Sequence, residues 1–172
     1  MLGEKEKKRA DRKAVAVRMA GAFGKEPTLL FAARQAEEVL LEAEVTVQPL
    51  PFAPHWLLGL SVWRQQALPV FDAANLYGFD HVFGRHLYLV LRAAVAAEDG
   101  GRQLLRCLLR VPGQIAAREL PAQCVPASAE ENGLAPALVR GVFTHEDSLL
   151  IVPDLLPALC PAADQLFEPP AV

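Results

Sequence analysis

The sequence is poor in the residue patterns that support enzymatic chemistry. It has only three cysteines, Cys107, Cys124 and Cys160, which lie far apart and form no Cys-x-x-Cys pair. This spacing argues against a disulfide framework and a zinc site, and it favours a reducing cytoplasm. Lysine is absent after Lys25, which excludes a phosphate-loop lysine and a Schiff-base lysine from the body of the chain.

An uninterrupted apolar run is also missing. The longest stretch without a charged residue, 45–63, contains Pro49, Pro51 and Pro54, and proline breaks a helix that would have to span a membrane. The N-terminus is charged and has no apolar segment directly behind it, so a signal peptide is not expected. The sequence therefore predicts no direct insertion into a membrane.

What is present is a globular composition with an uneven distribution of charge. Of the 172 residues, 52% are hydrophobic and 22% are charged, with a net charge of −3, so a nucleic-acid partner is not expected. Residues 1–18 nevertheless carry seven basic and three acidic side chains. We therefore expect residues 1–26 to form a basic tail, flexible or helical, and residues 27–172 to form the folded domain.

Short apolar segments separated by polar turns predict an all-β fold with short helices. The expected hairpins pair residues 55–62 with 67–71, 86–95 with 102–111, and 137–143 with 148–152. Asp72 and Gly78 are placed to begin and end a short helix. Residues 45–47 alternate like a strand, whereas residues 112–136 are expected to be an irregular connection.

Three markers recur 82 residues apart, each in the same order. They are Pro54, Gly59 and Asp72 in the first segment and Pro136, Gly141 and Asp154 in the second. We interpret the recurrence as two related half-barrels that share a core, because units of this size cannot bury enough surface alone. Each glycine is predicted to mark a bulge or barrel corner, and each aspartate to cap a helix.

No set of residues predicts a catalytic, cofactor-binding or metal site. The letters of a catalytic triad occur in residues 145–148, but neighbours within one turn cannot form a nucleophile–base–orienter line. Asp72 and Asp154 lack the Asp-Thr/Ser-Gly surroundings of paired catalytic aspartates. The chain is therefore not expected to be an enzyme and needs no cofactor.

The candidate binding residues lie at the tip of the first repeated hairpin. They are Val62, Trp63, Arg64 and Gln66. Arginine beside tryptophan is typical of protein-binding hot spots. On composition alone the alternative remains open that Arg64 is an ordinary turn residue and that Trp63 packs into the barrel.

Two segments resemble the CheW-like domain family. Residues 49–72 are similar to the family's proline-containing segment, the apolar-Gly-apolar strand after it and the returning Pro-Val-apolar-Asp strand. Residues 138–155 are similar to the family's C-terminal strand-Gly-strand. The likeness covers roughly residues 28–160. The family turn Asn-Leu-Arg-Gly reads Val62-Trp63-Arg64-Gln65 here, so its glycine is lost, which marks a divergent member.

The resemblance implies two SH3-like five-stranded barrels with a shared core and no enzymatic activity. It implies an adaptor that couples a methyl-accepting chemoreceptor to the regulatory domain of a CheA-type histidine kinase, in chemotaxis or pilus-type motility. Arg64 matches the arginine that the family uses at its receptor contact. Two other readings stay open: a binding module of the same fold for a different partner, perhaps through the basic tail, and a small enzyme.

Overall fold

Eleven strands in two sheets make up most of the computed structural model, which describes residues 13–21, 25–96, 100–121 and 123–160. The strands are β1 Lys13–Arg18, β2 Glu26–Ala32, β3 Ala36–Leu41, β4 Leu57–Trp63, β5 Gln66–Asp72, β6 His86–Ala96, β7 Arg102–Pro112, β8 Ile115–Glu119, β9 Val125–Ala127, β10 Val139–His145 and β11 Ser148–Pro153. Two short α-helices, α1 Ala73–Tyr77 and α2 Leu156–Leu159, follow β5 and β11. Within these ranges no helix is long and apolar enough to cross a membrane.

The two sheets are built to the same plan. One has five strands in the order β3-β6-β7-β5-β4, and the other has six in the order β8-β1-β2-β11-β10-β9. Neighbours are antiparallel except β5 with β7 and β2 with β11, which are parallel. The five-stranded sheet is continuous in the chain, whereas the six-stranded sheet combines strands from both ends of it.

The hairpins β4–β5 and β10–β11 have the same register 82 residues apart. A bulge shifts the pairing between Leu57 and Gly59 in the first hairpin, and between Val139 and Gly141 in the second. The returning strand of each hairpin then pairs in parallel with the second strand of another hairpin. The sequence repeat therefore coincides with two structurally matched units of five strands, to which β9 adds an edge.

One apolar core lies between the two sheets and takes its side chains from both. Its fully buried members include Val17, Leu29 and Ile151 from the six-stranded sheet, with Phe71 and Leu109 from the five-stranded sheet. Residues of both helices join them. Burial of each large aliphatic side chain contributes about 2 kcal/mol, so the two units stabilise each other. The predicted all-β fold with short helices and a shared core is confirmed.

Each sheet buries a second, smaller cluster on its other face. Behind the five-stranded sheet the cluster is bulky: Trp63, Leu68, Val70, Tyr88, Val90 and Leu108. Behind the six-stranded sheet it is small: Ala14, Ala16, Leu30 and Leu150. The two units thus share a strand plan but differ in the size of the side chains that they bury on this face.

The prediction of a tail up to residue 26 is wrong for residues 13–18, which form β1. This strand lies between β8 and β2 and pairs with both. Its charged ends, Lys13 and Arg18, are exposed, while Val17 enters the shared core and Ala14 is buried on the opposite face. The basic residues on either side concealed the four-residue apolar run 14–17 at the centre of this strand. The predicted tail residues 1–12 and 22–24 lie outside the described residues.

Two further expectations about local structure are corrected. Residues 112–136 are not an irregular connection throughout, because they contain the edge strands β8 and β9. Both strands are largely exposed, so their sequences lack the apolar alternation that reveals a half-buried strand. Residues 45–47 are not a strand, although Val45 and Val47 pack against the bulky cluster of the five-stranded sheet.

Candidate functional site

The β4–β5 hairpin presents Arg64 and Gln65 at its tip in a left-handed turn. Trp63 pairs with Gln66, and the two residues between them have φ values of 46° and 66°. Two positive φ values in a two-residue loop define a type I′ turn, which normally uses glycine or asparagine. The turn therefore keeps its shape without the family's glycine, at a cost of about 1 kcal/mol for each residue.

Glu38 on β3 fixes both side chains of this tip. One of its carboxylate oxygens accepts the indole N–H of Trp63 at 2.9 Å and an N–H of Arg64 at 3.1 Å. The Arg64 guanidinium also lies over the Trp63 ring, 4.5 Å from its centre. Stacking and charge pairing together hold an exposed arginine in one orientation, which reduces the entropy it would lose on binding a partner.

A second carboxylate, Glu37, joins two arginines from the neighbouring strands. Arg106 on β7 donates to both of its oxygens, at 2.8 and 3.2 Å, and Arg92 on β6 donates at 3.4 Å. The hydrogen bond from Arg106 is the main cause that lowers the pKa of Glu37, with desolvation opposing it. Arg106 in turn lies 5.9 Å from the Trp63 ring centre. The network therefore runs without a break from Glu37 to the hairpin tip.

These side chains line a shallow open cavity of about 520 Å³ at one side of the five-stranded sheet. Its charged lining residues are one glutamate, Glu37, and four arginines: Arg34, Arg64, Arg92 and Arg106. We call this set, together with Glu38 and Trp63, the Arg64 cluster. An excess of oriented guanidinium groups over carboxylates suits recognition of an anionic group on a partner.

Three of the four predicted binding residues lie together and one does not. Trp63, Arg64 and Gln66 line the same cavity. Val62 alternates to the other side of β4, where its side chain is 75% exposed. Trp63 packs into the barrel interior, being only 8% exposed, and still directs its indole N–H at the site.

Sequence reasoning missed the residues that hold the tip in place. Arg34, Glu37 and Glu38 stand 26 or more positions before Arg64 in the chain, and Arg92 and Arg106 stand 28 or more positions after it. The one local signal was the adjacent pair Glu37 and Glu38 within a short strand, because glutamate is depleted in β-strands. Their partners could be identified only from the pairing of β3, β6 and β7.

The repeated aspartates occupy unequal surroundings. Asp72 accepts the N–H of Asn75 at 2.8 Å at the start of α1 and pairs with Arg110 at 2.7 Å, with its side chain 3% exposed. Asp154 is not the N-cap of α2, a position held by Leu155, although it accepts the N–H of Leu156 at 3.1 Å. Its partner Arg140 is about half exposed. The predicted symmetric capping therefore applies fully to Asp72 alone.

The repeated glycines also differ, although each lies at a bulge. Gly59 has a φ of 144°, and a β-carbon there would collide with the carbonyl oxygen of Gln48 and lie 2.9 Å from the α-carbon of Pro49. Gly141 has no such φ value, and its β-carbon would meet only the ring of Phe143. The need for glycine is thus set by backbone at the first position and by a movable side chain at the second.

The described ranges show no group of three or more His, Cys, Asp or Glu side chains that could hold a metal ion. His145 and Ser148 pair across the β10–β11 turn, and the His145 ring faces the carbonyl of Gln123 at 3.1 Å. The triad letters of this turn therefore do not form a nucleophile–base arrangement.

Comparison with known proteins identifies the fold. No family model and no curated protein matches the sequence. Among solved structures, the chain is similar to the scaffolding protein TtCheW from Thermoanaerobacter tengcongensis, with a TM-score of 0.61 and 16% sequence identity. The match covers 83% of this chain and 84% of that one. The chain has a CheW-like fold.

The CheW-like fold confirms the architecture that the two resembling segments implied. The match covers 83% of the chain, so it includes strands of both matched units. At this level of identity the fold is conserved while most side chains have changed. The match therefore assigns no role to the residues of the Arg64 cluster.

Proposed function

We propose that this chain is a non-enzymatic adaptor that couples a methyl-accepting chemoreceptor to a CheA-type histidine kinase. The pathway would control chemotaxis or pilus-type motility, and the adaptor would act in the cytoplasm. The observation that carries the proposal is the CheW-like fold, since the similar solved protein is a scaffolding protein. The duplicated architecture adds support, because two joined units offer two separate faces to two partners.

In this proposal the Arg64 cluster contacts the receptor, and one of the two units packs against the kinase's regulatory domain. Arg64 is suited to the receptor contact because it is exposed, with its side chain at 68%, and yet held by Glu38 and Trp63. A prealigned guanidinium can form two parallel hydrogen bonds to a carboxylate on the partner. Glu38 acts as a positioning residue, because it orients Arg64 and the indole at once.

The test is binding of a purified receptor signalling fragment to the wild type and to Arg64→Ala. We expect the variant to bind roughly tenfold or more weakly, as for loss of an interfacial arginine anchor. Its melting temperature should stay nearly unchanged, because an exposed ion pair contributes at most about 1 kcal/mol. Arg85→Ala, which removes an exposed arginine outside the cluster, is the matched control.

Glu38→Gln adds a second variant to this test. The amide keeps an acceptor for the Trp63 indole but removes the charge that holds Arg64, so receptor binding should fall between the wild type and Arg64→Ala. Equal binding by all four proteins, with each shown to be folded, would contradict a receptor contact at this tip.

A further inference from the structure

The six-stranded sheet carries a pocket at the place that corresponds to the Arg64 cluster in the five-stranded sheet. The two repeated hairpins match 82 residues apart, and the strand pairing extends the match across each sheet. The cavity residues Trp63, Arg64, Gln66, Arg92 and Arg106 then correspond to His145, Glu146, Ser148, Arg18 and Thr28. All five counterparts line the second pocket, which has a volume of about 530 Å³. The chain therefore has cavities at two equivalent positions, and the function proposed above uses one of them.

The equivalent positions carry smaller side chains in the six-stranded unit. Trp63 packs into the interior of its own unit, whereas its counterpart His145 directs its ring at the carbonyl of Gln123, 3.1 Å away. By the same pairing, Tyr88 and Val90 of the bulky cluster correspond to Ala14 and Ala16. The other three members of the bulky cluster, Leu68, Val70 and Leu108, correspond to Leu150, Val152 and Leu30. Three of six positions are thus smaller and none is larger, which leaves space in the six-stranded unit.

This pocket reaches the interior of its unit, and its floor is apolar. Ala16, Leu30 and Leu150 line it and are also members of the small cluster behind the six-stranded sheet. Ile115 and Leu120 continue the apolar lining towards the surface. The Arg64 cavity, in contrast, includes only Trp63 from the cluster behind its sheet. A concave site with an apolar floor and polar groups at its mouth is typical of a binding site for a small molecule.

The mouth of the pocket carries charges of both signs. Its charged lining residues are two arginines and two glutamates: Arg18, Arg118, Glu119 and Glu146. Arg18 also pairs with Glu26 at 3.3 Å, but both side chains are about half exposed or more, so this pair is weak and leaves the guanidinium available. Glu146 occupies the turn position of Arg64 and shares its positive φ, 52° against 46°. The mouth is formally neutral, whereas the Arg64 cavity has an excess of arginines.

We propose that this pocket binds a free α-amino acid with a large apolar side chain. The side chain would enter the space beside Ala16, Leu30 and Leu150, while the ammonium and carboxylate groups stay at the mouth. A zwitterion can pair with the arginines and the glutamates at once, whereas a simple anion or cation would meet charges of its own sign. The apolar floor disfavours a polar side chain, because such a group would be buried without a hydrogen-bond partner. This inference does not rest on the adaptor function, since it uses neither the Arg64 cluster nor a protein partner.

The test is titration of the full chain with L-leucine, followed by ¹H–¹⁵N NMR. Three analogues each remove one recognised feature: 4-methylpentanoate lacks the ammonium group, L-leucinamide lacks the carboxylate, and glycine lacks the side chain. We expect saturable binding of leucine with a Kd of about 1 mM or tighter, and binding of each analogue at least about tenfold weaker. The backbone amides of Ala16, Ala116 and Ser148, which line the pocket, should shift. The indole N–H of Trp63 should not shift, because it reports on the other cavity.

Two variants with matched controls test the entrance and the charges. His145→Trp introduces the residue of the equivalent position and should close the entrance, whereas His55→Trp makes the same change at an exposed histidine outside the pocket. Arg18→Gln/Arg118→Gln removes both cations of the mouth, and Arg85→Gln/Arg102→Gln removes two exposed arginines elsewhere. Each pocket variant should bind leucine at least about tenfold more weakly, and each control should change less than about threefold. Circular dichroism melts establish folding, and the analogue series on the wild type decides the question if a variant does not fold.

Four outcomes would overturn the proposal. They are a Kd for leucine much weaker than about 1 mM, binding of 4-methylpentanoate or leucinamide as tight as that of leucine, shifts that fall on Trp63 instead of the pocket amides, and equal effects of the pocket variants and their controls. Failure of the adaptor function is distinguishable, because no receptor or kinase fragment takes part in this experiment. Leucine binding without binding of those fragments would overturn the adaptor function alone.

Discussion

The two repeated aspartates allow a test of how much burial decides the strength of an ion pair. The replacement of Asp72 by asparagine removes the charge opposite Arg110 but keeps an oxygen that can accept the N–H at the start of α1, since asparagine caps as well as aspartate. What remains is an arginine whose side chain is only 25% exposed, facing a neutral amide. The free-energy cost is then that of an uncompensated, largely buried charge.

Breaking a buried pair from one side costs about 3–5 kcal/mol, and the partial exposure of Arg110 places the expected loss for Asp72→Asn near 3 kcal/mol. Asp72→Ala should lose about 1 kcal/mol more, because the cap disappears as well. Asp154→Asn, at the matched position with a half-exposed arginine partner, should lose less than about 1 kcal/mol. For a chain of this length the first change lowers the melting temperature by roughly 6–12 °C.

Urea unfolding followed by circular dichroism measures all three variants, and Arg110→Leu added to Asp72→Asn completes the cycle. The double variant should recover most of the loss, because a buried pair replaced on both sides by uncharged groups is often neutral. The reasoning is refuted if Asp72→Asn and Asp154→Asn lose the same stability within about 0.5 kcal/mol, or if the double variant is no more stable than Asp72→Asn.

The remaining predictions concern the glycines, the partly buried carboxylate of Glu37 and the thiols. Gly59→Ala should destabilise by at least about 2 kcal/mol, because its β-carbon meets backbone at a strained φ, whereas Gly141→Ala should lose less than about 1 kcal/mol; urea unfolding that gives equal losses would contradict this difference. The pKa of Glu37 is lowered in the folded state, so the stability it adds is present above its ordinary value of 4.5 and is lost as the pH falls through the lowered value. The stability difference between wild type and Glu37→Gln should therefore be seen at neutral pH and shrink below about pH 4.5, and a difference that grows on acidification would be inconsistent with this sign. Burial raises the pKa of Cys107 to about 12, so a thiol-reactive dye at neutral pH should label exposed Cys160 quickly and Cys107 only after unfolding.

Much of the local structure could be predicted from the sequence because it is set by neighbours in the chain. The β6–β7 hairpin follows from two apolar runs around a glycine-rich turn, and α1 follows from Asp72 at its start and Gly78, with a φ of 71°, at its end. The 82-residue repeat could also be recognised in the sequence, because each hairpin has a glycine at its bulge, Gly59 in the first and Gly141 in the second.

The long-range pairings could not be predicted, and they determine the site. β2 pairs in parallel with β11, more than a hundred residues later in the chain. β1 joins the same sheet by pairing with β2, and the basic composition of residues 1–18 concealed this strand. The Arg64 turn was found from its own residues. Glu38 orients the side chains of the turn, and Glu37 holds two arginines beside it. Neither role could be assigned from the sequence, because β3 reaches the tip only through its pairing with β6.

The adaptor role is tested most directly by calorimetric titration of this protein against the regulatory domains of CheA-type kinases from the same organism, one kinase at a time. The account predicts saturable binding at micromolar concentration, about −8 kcal/mol, to one of these domains, with Arg64→Ala leaving that binding unchanged because Arg64 faces the receptor. Absence of binding to every kinase domain, with the protein shown to be folded, would contradict the adaptor role and leave a CheW-like fold that serves another partner.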